Sequence, residues 1–473
     1  MIFTSWAFLI FLAAVLIGYF SLGRKWRWQN ILLLVASYAF YAYWDWRFLG
    51  LLIGVTAVNY TAGWLISRRP GHKRLWLGLA IALSLLVLGA FKYFNFFVPG
   101  LVRLLSAFGL NIDPISLNVI LPLGISYFTF MAITYPYDIY RGDLQHNRKI
   151  LDYALFVSFF PTLVSGPVER AAHMLPQFQS PRHVTSDKIN EGLWLIAWGL
   201  FQKMVIADNM GLIADQVFNN YSLYHGADIV IGISAFTVQI LADFGGYTDI
   251  ARGIARLFGF DLLLNFNVPY LALNPRDFWS RWHISLSQWF RNYLYIPLGG
   301  NRKGKLRTYL NIFITMVLVG LWHGAAWTFV IWGAWHGLLQ VIYRLFGQRG
   351  LSTSRSVTDI LSLSSIVGRT VLIVVLVAVG WTAFRSSSFE QLAYMFTNLR
   401  YATSDITLNS MLKLLAFTAP LITVQIFQFA YRSSAVFFVK LNPWLKGLIY
   451  AAIICGILLF MPHGITRFIY QNF

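Results

Sequence analysis

Apolar positions in this chain cluster into long unbroken runs instead of alternating every second residue or recurring on one face of a helix. Such runs occupy Trp6–Phe20, Phe48–Ile66, Leu75–Val98, Leu117–Tyr140 and Tyr309–Tyr343, with three more near Val371–Ala383, Leu412–Ala430 and Leu445–Phe460. A helix needs about 20 apolar residues to cross the hydrocarbon of a bilayer, and roughly ten to twelve such segments can be marked. The expected fold is all-α: a polytopic membrane protein organised as one domain over residues 1–473. The first run lacks a basic segment before it and a small-residue cleavage site after it, so it reads as a retained helix, not a signal peptide.

The polar breaks between runs give an orientation. Arg24, Lys25 and Arg27 follow the run Trp6–Phe20, Arg68, Arg69, Lys73 and Arg74 follow Phe48–Ile66, and Arg141, Arg148 and Lys149 follow Leu117–Tyr140. The densest cluster in a short loop is Arg302, Lys303, Lys305 and Arg307. Lys and Arg favour cytoplasmic loops, so these segments are expected inside and both termini outside. One stretch, Phe244–Gly300, fits no simple span. It is apolar and aromatic, yet Gly245, Gly246, Pro269, Pro275, Gly299 and Gly300 interrupt it, and it carries Asp243 at its edge with Asp249, Arg252, Asp277, Arg281 and Arg291. Irregular or charged backbone at membrane depth survives where it is buried in protein or lines a wet cavity. Re-entrant and interfacial helices around a central pore are therefore expected here. Asp243 and Asp249 are expected to pair with Arg252 or to cap helices.

Composition agrees. Of 473 residues 58% are hydrophobic and 12% charged, about half the charge of a soluble domain. The formal net charge of +19 could suggest nucleic acid, but scattered short basic loops have a sufficient explanation in topology. The lone Cys455 lies inside an apolar run, which excludes an internal disulfide framework.

Candidate chemistry rests on histidines in aromatic settings: Arg281-Trp282-His283, Trp322-His323-Gly324 and Trp335-His336-Gly337. A lone histidine in an apolar helix is more often packed core than catalyst. In one continuous helix His323 and His336 would lie about 20 Å apart on nearly opposite faces, so His336 is read as structural. His283 precedes the basic loop and can fold back toward His323. No carboxylate or cysteine stands at ligand spacing, so no metal is expected. Desolvation keeps an intramembrane imidazole neutral, the state a general base requires. That suits activation of a hydroxyl for attack on an acyl donor. Nucleophile-elbow, P-loop and dinucleotide fingerprints are missing.

At this point a family resemblance enters. The run Asp243-Phe244-Gly245-Gly246-Tyr247-Thr248-Asp249, then Asn265-Phe266, Pro269-Tyr270 and Asp277 through Ser287, resembles the membrane-bound O-acyltransferase family. It continues as Trp289 through Gly300 and closes on Trp322-His323-Gly324. Upstream, Pro122 through Phe130 and Ser165-Gly166-Pro167 resemble it as well, so the densest similarity covers about 120–340. Gly245-Gly246 departs from a more usual Ser-Gly. The likeness is to the alginate O-acetyltransferase-like branch, whose members act on exported polysaccharides.

The resemblance implies His323 as the catalytic base and His283 as the second site position. It implies cytoplasmic acetyl-CoA as donor and an acetyl group crossing through a pore around the histidine. Expected partners are a periplasmic or membrane-anchored SGNH-type acetyltransferase, the exopolysaccharide synthesis and export complex, and the lipid bilayer. The expected location is the bacterial inner membrane. Arg302, Lys303, Lys305 and Arg307 could also attract the phosphates of coenzyme A. The aromatic tail Arg467 to Phe473 resembles tyrosine-bearing tails of this branch, which makes Tyr470 a candidate acetyl relay, a phenyl ester being more reactive than an alkyl ester. Competing readings are a D-alanyl or other acyl transferase using a carrier-protein thioester, and a secondary transporter with broken helices. Paired repeats typical of such transporters are not found in the sequence.

Overall fold

Helices form all the regular secondary structure among the residues described by the computed structural model, namely 1–110, 120–147, 149–346, 360–399, 407–431, 436–462 and 468–469. Seven segments among these are long and apolar enough to cross a membrane. Two of them, Trp26–Arg68 with 43 residues and Pro70–Ala107 with 38, are too long for one crossing, since 43 helical residues extend about 65 Å against roughly 30 Å of hydrocarbon. Each holds two helices, for example Trp26–Asp45 and Leu49–Arg68. The shortfall from ten to twelve has a physical cause. Ile125–Arg141 is only 17 residues long, and Trp327–Phe346 dilutes its apolar run with three tryptophans and a histidine. The helices Thr407–Tyr431 and Pro443–Phe460 are almost wholly unburied, presenting Leu412, Leu415, Ile422, Leu448 and Leu458 outward. So large an exposed apolar surface is incompatible with water.

The chain divides into two compact units. The first comprises residues 1–192 and 251–263. Its helices are held by aromatic packing, as where Tyr135 and Tyr153 approach to 4.3 Å, and by buried polar hubs. Arg182 donates to the Tyr19 hydroxyl (2.7 Å), Asn30 Oδ1 (2.8 Å) and Gln29 Oε1 (3.0 Å), while its guanidinium lies over Phe260. Buried Glu169 accepts the Leu263 N–H at 2.7 Å and pairs with His173 Nδ1 at 2.8 Å.

The second unit comprises residues 193–250 and 264–473. Its centre is a helical hairpin, Lys305–His323 and Trp327–Phe346. Glycines let the two backbones meet: a Cβ on Gly320 would stand 2.2 Å from the Phe329 carbonyl oxygen, and one on Gly333 2.4 Å from that of Met316. Close approach through small residues is a packing mode that apolar surroundings reward.

Two expectations are corrected. The irregular stretch does not begin at Phe244, because the helix Gly226–Leu257 runs unbroken through Asp243, Gly245, Gly246 and Asp249. Gly245-Gly246 makes room for a neighbouring helix, since a Cβ on Gly246 would lie 2.7 Å from the carbonyl oxygen of Gly199. Irregular backbone starts at Phe258 and holds two seven-residue helices, Pro275–Arg281 and Ile284–Phe290. Secondly, Asp243 takes Lys203 as its ion-pair partner, at 2.8 Å, from a π-helical turn over Gln202–Ala207.

Candidate active site

His323 is the last residue of its helix, and Gly324 ends it in extended conformation. A side chain on Gly324 would strike the Phe329 ring, its Cβ being 2.1 Å from a ring carbon, so any larger residue here would displace that ring. The reversal removes the separation expected for a continuous helix. Trp332 stands edge-on to His323 at 5.0 Å between ring centres and also at 5.0 Å from His336. Trp322 (5.0 Å) and Phe384 (5.4 Å) also pack against His323, which is 3% exposed. His336 packs among Phe278, Trp279 and Trp381.

His283 comes to 6.3 Å from His323, centre to centre. It is fully buried, lies edge-on to Phe244 at 4.7 Å, and starts the helix Ile284–Phe290 with φ 40° and ψ 53°. Among the described residues only His283 and Val268 are non-glycine residues with positive φ. A left-handed residue of this kind costs about 1–3 kcal/mol and persists where surrounding structure enforces it. Here Asn265 does so. Its carbonyl accepts the Ile284 N–H at 2.9 Å, and its Oδ1 takes the Ser285 hydroxyl at 2.5 Å and faces His283 Nδ1 at 3.4 Å.

Because Asn265 Oδ1 is an acceptor, the nitrogen facing it carries the proton of a neutral imidazole, and the partner thereby sets the tautomer. Nε2 is then the basic nitrogen. It is buried and has no hydrogen-bond partner among the described residues. Two buried imidazoles therefore share one apolar, aromatic enclosure, where unprotonated nitrogens can accept a proton from a small reacting group.

The basic residues Arg302, Lys303, Lys305 and Arg307 are exposed at the opposite end of the His323 helix. The axis from Lys305 to His323 is about 27 Å long, 18 steps at 1.5 Å. Tyr470 lies outside the described residues. Its neighbours Phe468 and Ile469 are buried, with Phe468 stacked on Tyr247 at 4.8 Å and 5.9 Å from Phe244.

Sequence reasoning singled out both histidines but gave Asn265, Ser285, Trp332 and Phe384 no role. The available signal for Asn265 was a polar residue set among Leu263, Leu264 and Phe266 in a segment without helical periodicity. Nothing local marked Phe384.

Residues 142–361 match the membrane-bound O-acyltransferase family. The chain is 42% identical over 400 residues to a protein of Pseudomonas putida named probable alginate O-acetylase AlgI, covering 84% of this chain and 79% of that one. The protein of the same name from Pseudomonas aeruginosa is 41% identical over 393 residues, covering 82% and 73%. A peptidoglycan O-acetyltransferase of Helicobacter pylori is 37% identical over 367 residues, covering 71% and 69%. With its apolar helices and this breadth of similarity, the chain belongs to the membrane-bound O-acyltransferase family and is a multi-pass membrane acyltransferase.

Proposed function

We propose that this chain is an O-acetyltransferase of the bacterial inner membrane that takes acetyl from cytoplasmic acetyl-CoA and passes it outward to hydroxyls of an exported alginate- or cellulose-type polysaccharide. The observation that carries the reading is the pair of buried imidazoles, His323 and His283, 6.3 Å apart within one aromatic enclosure. The names of the relatives, alginate O-acetylase and peptidoglycan O-acetyltransferase, support acetyl as the group and a glycan hydroxyl as the destination.

In this reading His323 removes the proton of an attacking hydroxyl, whose oxygen adds to the thioester carbonyl. Collapse breaks the C–S bond, and the imidazolium returns the proton to the departing thiolate. An imidazolium at a helix C-terminus is favoured by the negative end of the macrodipole, worth up to about 2 kcal/mol in partly buried sites. His283, its Nδ1 turned to Asn265, presents Nε2 to the same group. Exposed Arg302, Lys303, Lys305 and Arg307 attract the phosphates of coenzyme A. A donor held there and reacting at His323 would extend about 27 Å along the helix, close to the roughly 30 Å of hydrocarbon.

The first acceptor is the Tyr470 hydroxyl, whose aryl ester then yields its acetyl to an SGNH-type acetyltransferase outside, working with the polymer synthesis and export machinery. Burial of Phe468 and Ile469 near Phe244 supports a tail directed to this site. The test uses membranes supplied with radiolabelled acetyl-CoA and the polymer-producing machinery. Wild type acetylates polymer, and Tyr470→Phe loses that transfer. Unchanged acetylation by a well-folded Tyr470→Phe protein would remove the relay, and unchanged acetylation by His323→Ala would remove the base.

A further inference from the structure

The chain's last described residues are held by a buried ion-pair cluster that acyl transfer does not itself require. Lys203 Nζ lies 2.8 Å from Asp208 Oδ1 and 2.8 Å from Asp243 Oδ1. Two carboxylates facing one ammonium leave an excess of negative charge, so Asp243 needs a further donor to be satisfied in an apolar interior. It receives one. The Ile469 N–H donates to Asp243 Oδ2 at 2.7 Å, and both groups are buried.

We propose that Asp243, fixed by Lys203 and Asp208, is a positioning residue that clamps the C-terminal end of the chain beside the histidine pair. Three observations converge on it. The clamp grips backbone, so it fixes the chain whatever side chain Ile469 carries. It seats Phe468 on Tyr247 and near Phe244, the ring that lies edge-on to His283. Asn209, next to Asp208 in the helix Asp208–Asn219, also holds the chain upstream, because its Nδ2 donates to the carbonyl of Phe460, the last residue of its helix, at 2.8 Å. Phe460 and Ile469 are thus each held, the first by Asn209 and the second by Asp243 of the Lys203–Asp243 pair. The π-helical turn over Gln202–Ala207 directs Lys203 to the cluster, a helical irregularity frequent at functional sites.

The consequence for acyl transfer rests on the reading above, whereas the clamp is measurable without it. Ile469→Pro deletes the N–H donor and leaves the Lys203–Asp243 pair intact, whereas Ile469→Ala keeps the donor and removes the side chain. Both are placed in a Cys455→Ala background with Phe468→Cys as a reporter, and maleimide labelling is followed in membranes. The expected result is at least tenfold faster labelling with Ile469→Pro and with Asp243→Asn, and continued protection with Ile469→Ala. In the chain without the reporter, Ile469→Pro is expected to lower the rate of acetyl transfer per folded molecule at least tenfold with the KM for acetyl-CoA unchanged. Folded protein is quantified by monodisperse size-exclusion elution and an unaltered thermal melt in detergent, because loss of folded enzyme by itself would also lower the maximal rate.

Unaltered labelling with Ile469→Pro, or equal exposure with Ile469→Ala, overturns the clamp. Faster labelling with an unaltered transfer rate overturns its positioning role. If wild type transfers no acetyl at all, the acyl-transfer reading and the positioning role that rests on it both fail, while labelling still decides whether Asp243 holds the tail.

Discussion

At the scale of single residues, the site depends on which nitrogen is basic and on what holds each ring. Loss of a general base usually costs about 10²- to 10⁴-fold, so His323→Ala is expected to lower acetyl incorporation by that much without preventing membrane insertion. His283 calls for a different substitution, because its positive φ penalises most side chains. Asn tolerates that conformation better than other residues, so His283→Asn is expected to fold and to lose transfer. Asn265→Ala removes the acceptor that faces His283 Nδ1 at 3.4 Å and the partner of the Ser285 hydroxyl. Its transfer rate is expected to fall about tenfold, the equivalent of one hydrogen bond of about 1.4 kcal/mol. Initial rates with radiolabelled acetyl-CoA check all three. Of these residues His283 and His323 were legible in the sequence, through their aromatic flanks and the family motifs. The role of Asn265 was not, since its partner lies 18 residues away and meets it only across an irregular loop.

At the scale of elements, the hairpin that carries His323 is set by its glycines. Gly320→Val would drive a branched side chain into the backbone at Phe329, where a Cβ alone would come within 2.2 Å of the carbonyl oxygen. Overpacking of this kind costs about 3 kcal/mol. The variant is expected to melt at a clearly lower temperature in detergent, as followed by tryptophan fluorescence, with transfer lost alongside. The basic loop before this helix makes a separate prediction. Replacing Arg302, Lys303, Lys305 and Arg307 with Gln is expected to raise the KM for acetyl-CoA several-fold and to flatten its salt dependence, because exposed charges act through a screened field. Equal KM values at low and high salt in the wild type would count against phosphate attraction there. The sequence singled out Trp322-His323-Gly324, where the structure places the hairpin's turn. It also suggested an interruption at Gly245-Gly246, where the structure keeps a helix, because glycine serves equally as a breaker and as a place for two backbones to touch.

At the scale of the whole molecule, a pH response is built into the first unit, outside the spanning segments. The hydrogen bond to Glu169 raises the His173 imidazole above its usual value of 6.5, and this outweighs the opposing effect of burial. A group raised on folding binds its proton more tightly in the folded state. Its contribution is complete below about 6.5 and is lost as pH rises through the raised value. Thermal stability in detergent is therefore expected to fall as pH rises from about 6.5 through the raised value, and His173→Gln is expected to reduce that slope. A slope identical to wild type in His173→Gln would refute the assignment.

The sequence by itself determined what is set by composition and by order along the chain: a helical membrane protein, its runs, its basic loops and the histidine motifs of its family. These follow from the transfer of side chains out of water, which each segment undergoes nearly independently of the others. Only the tertiary structure decided which buried groups meet. His323, His283 and Phe384 come from segments 40 to about 100 residues apart. Lys203 finds Asp243, and Asp243 finds the backbone of Ile469, 226 residues further on. A buried charge or imidazole must take its partner from whatever packing brings within about 3 Å, and that choice belongs to the folded chain.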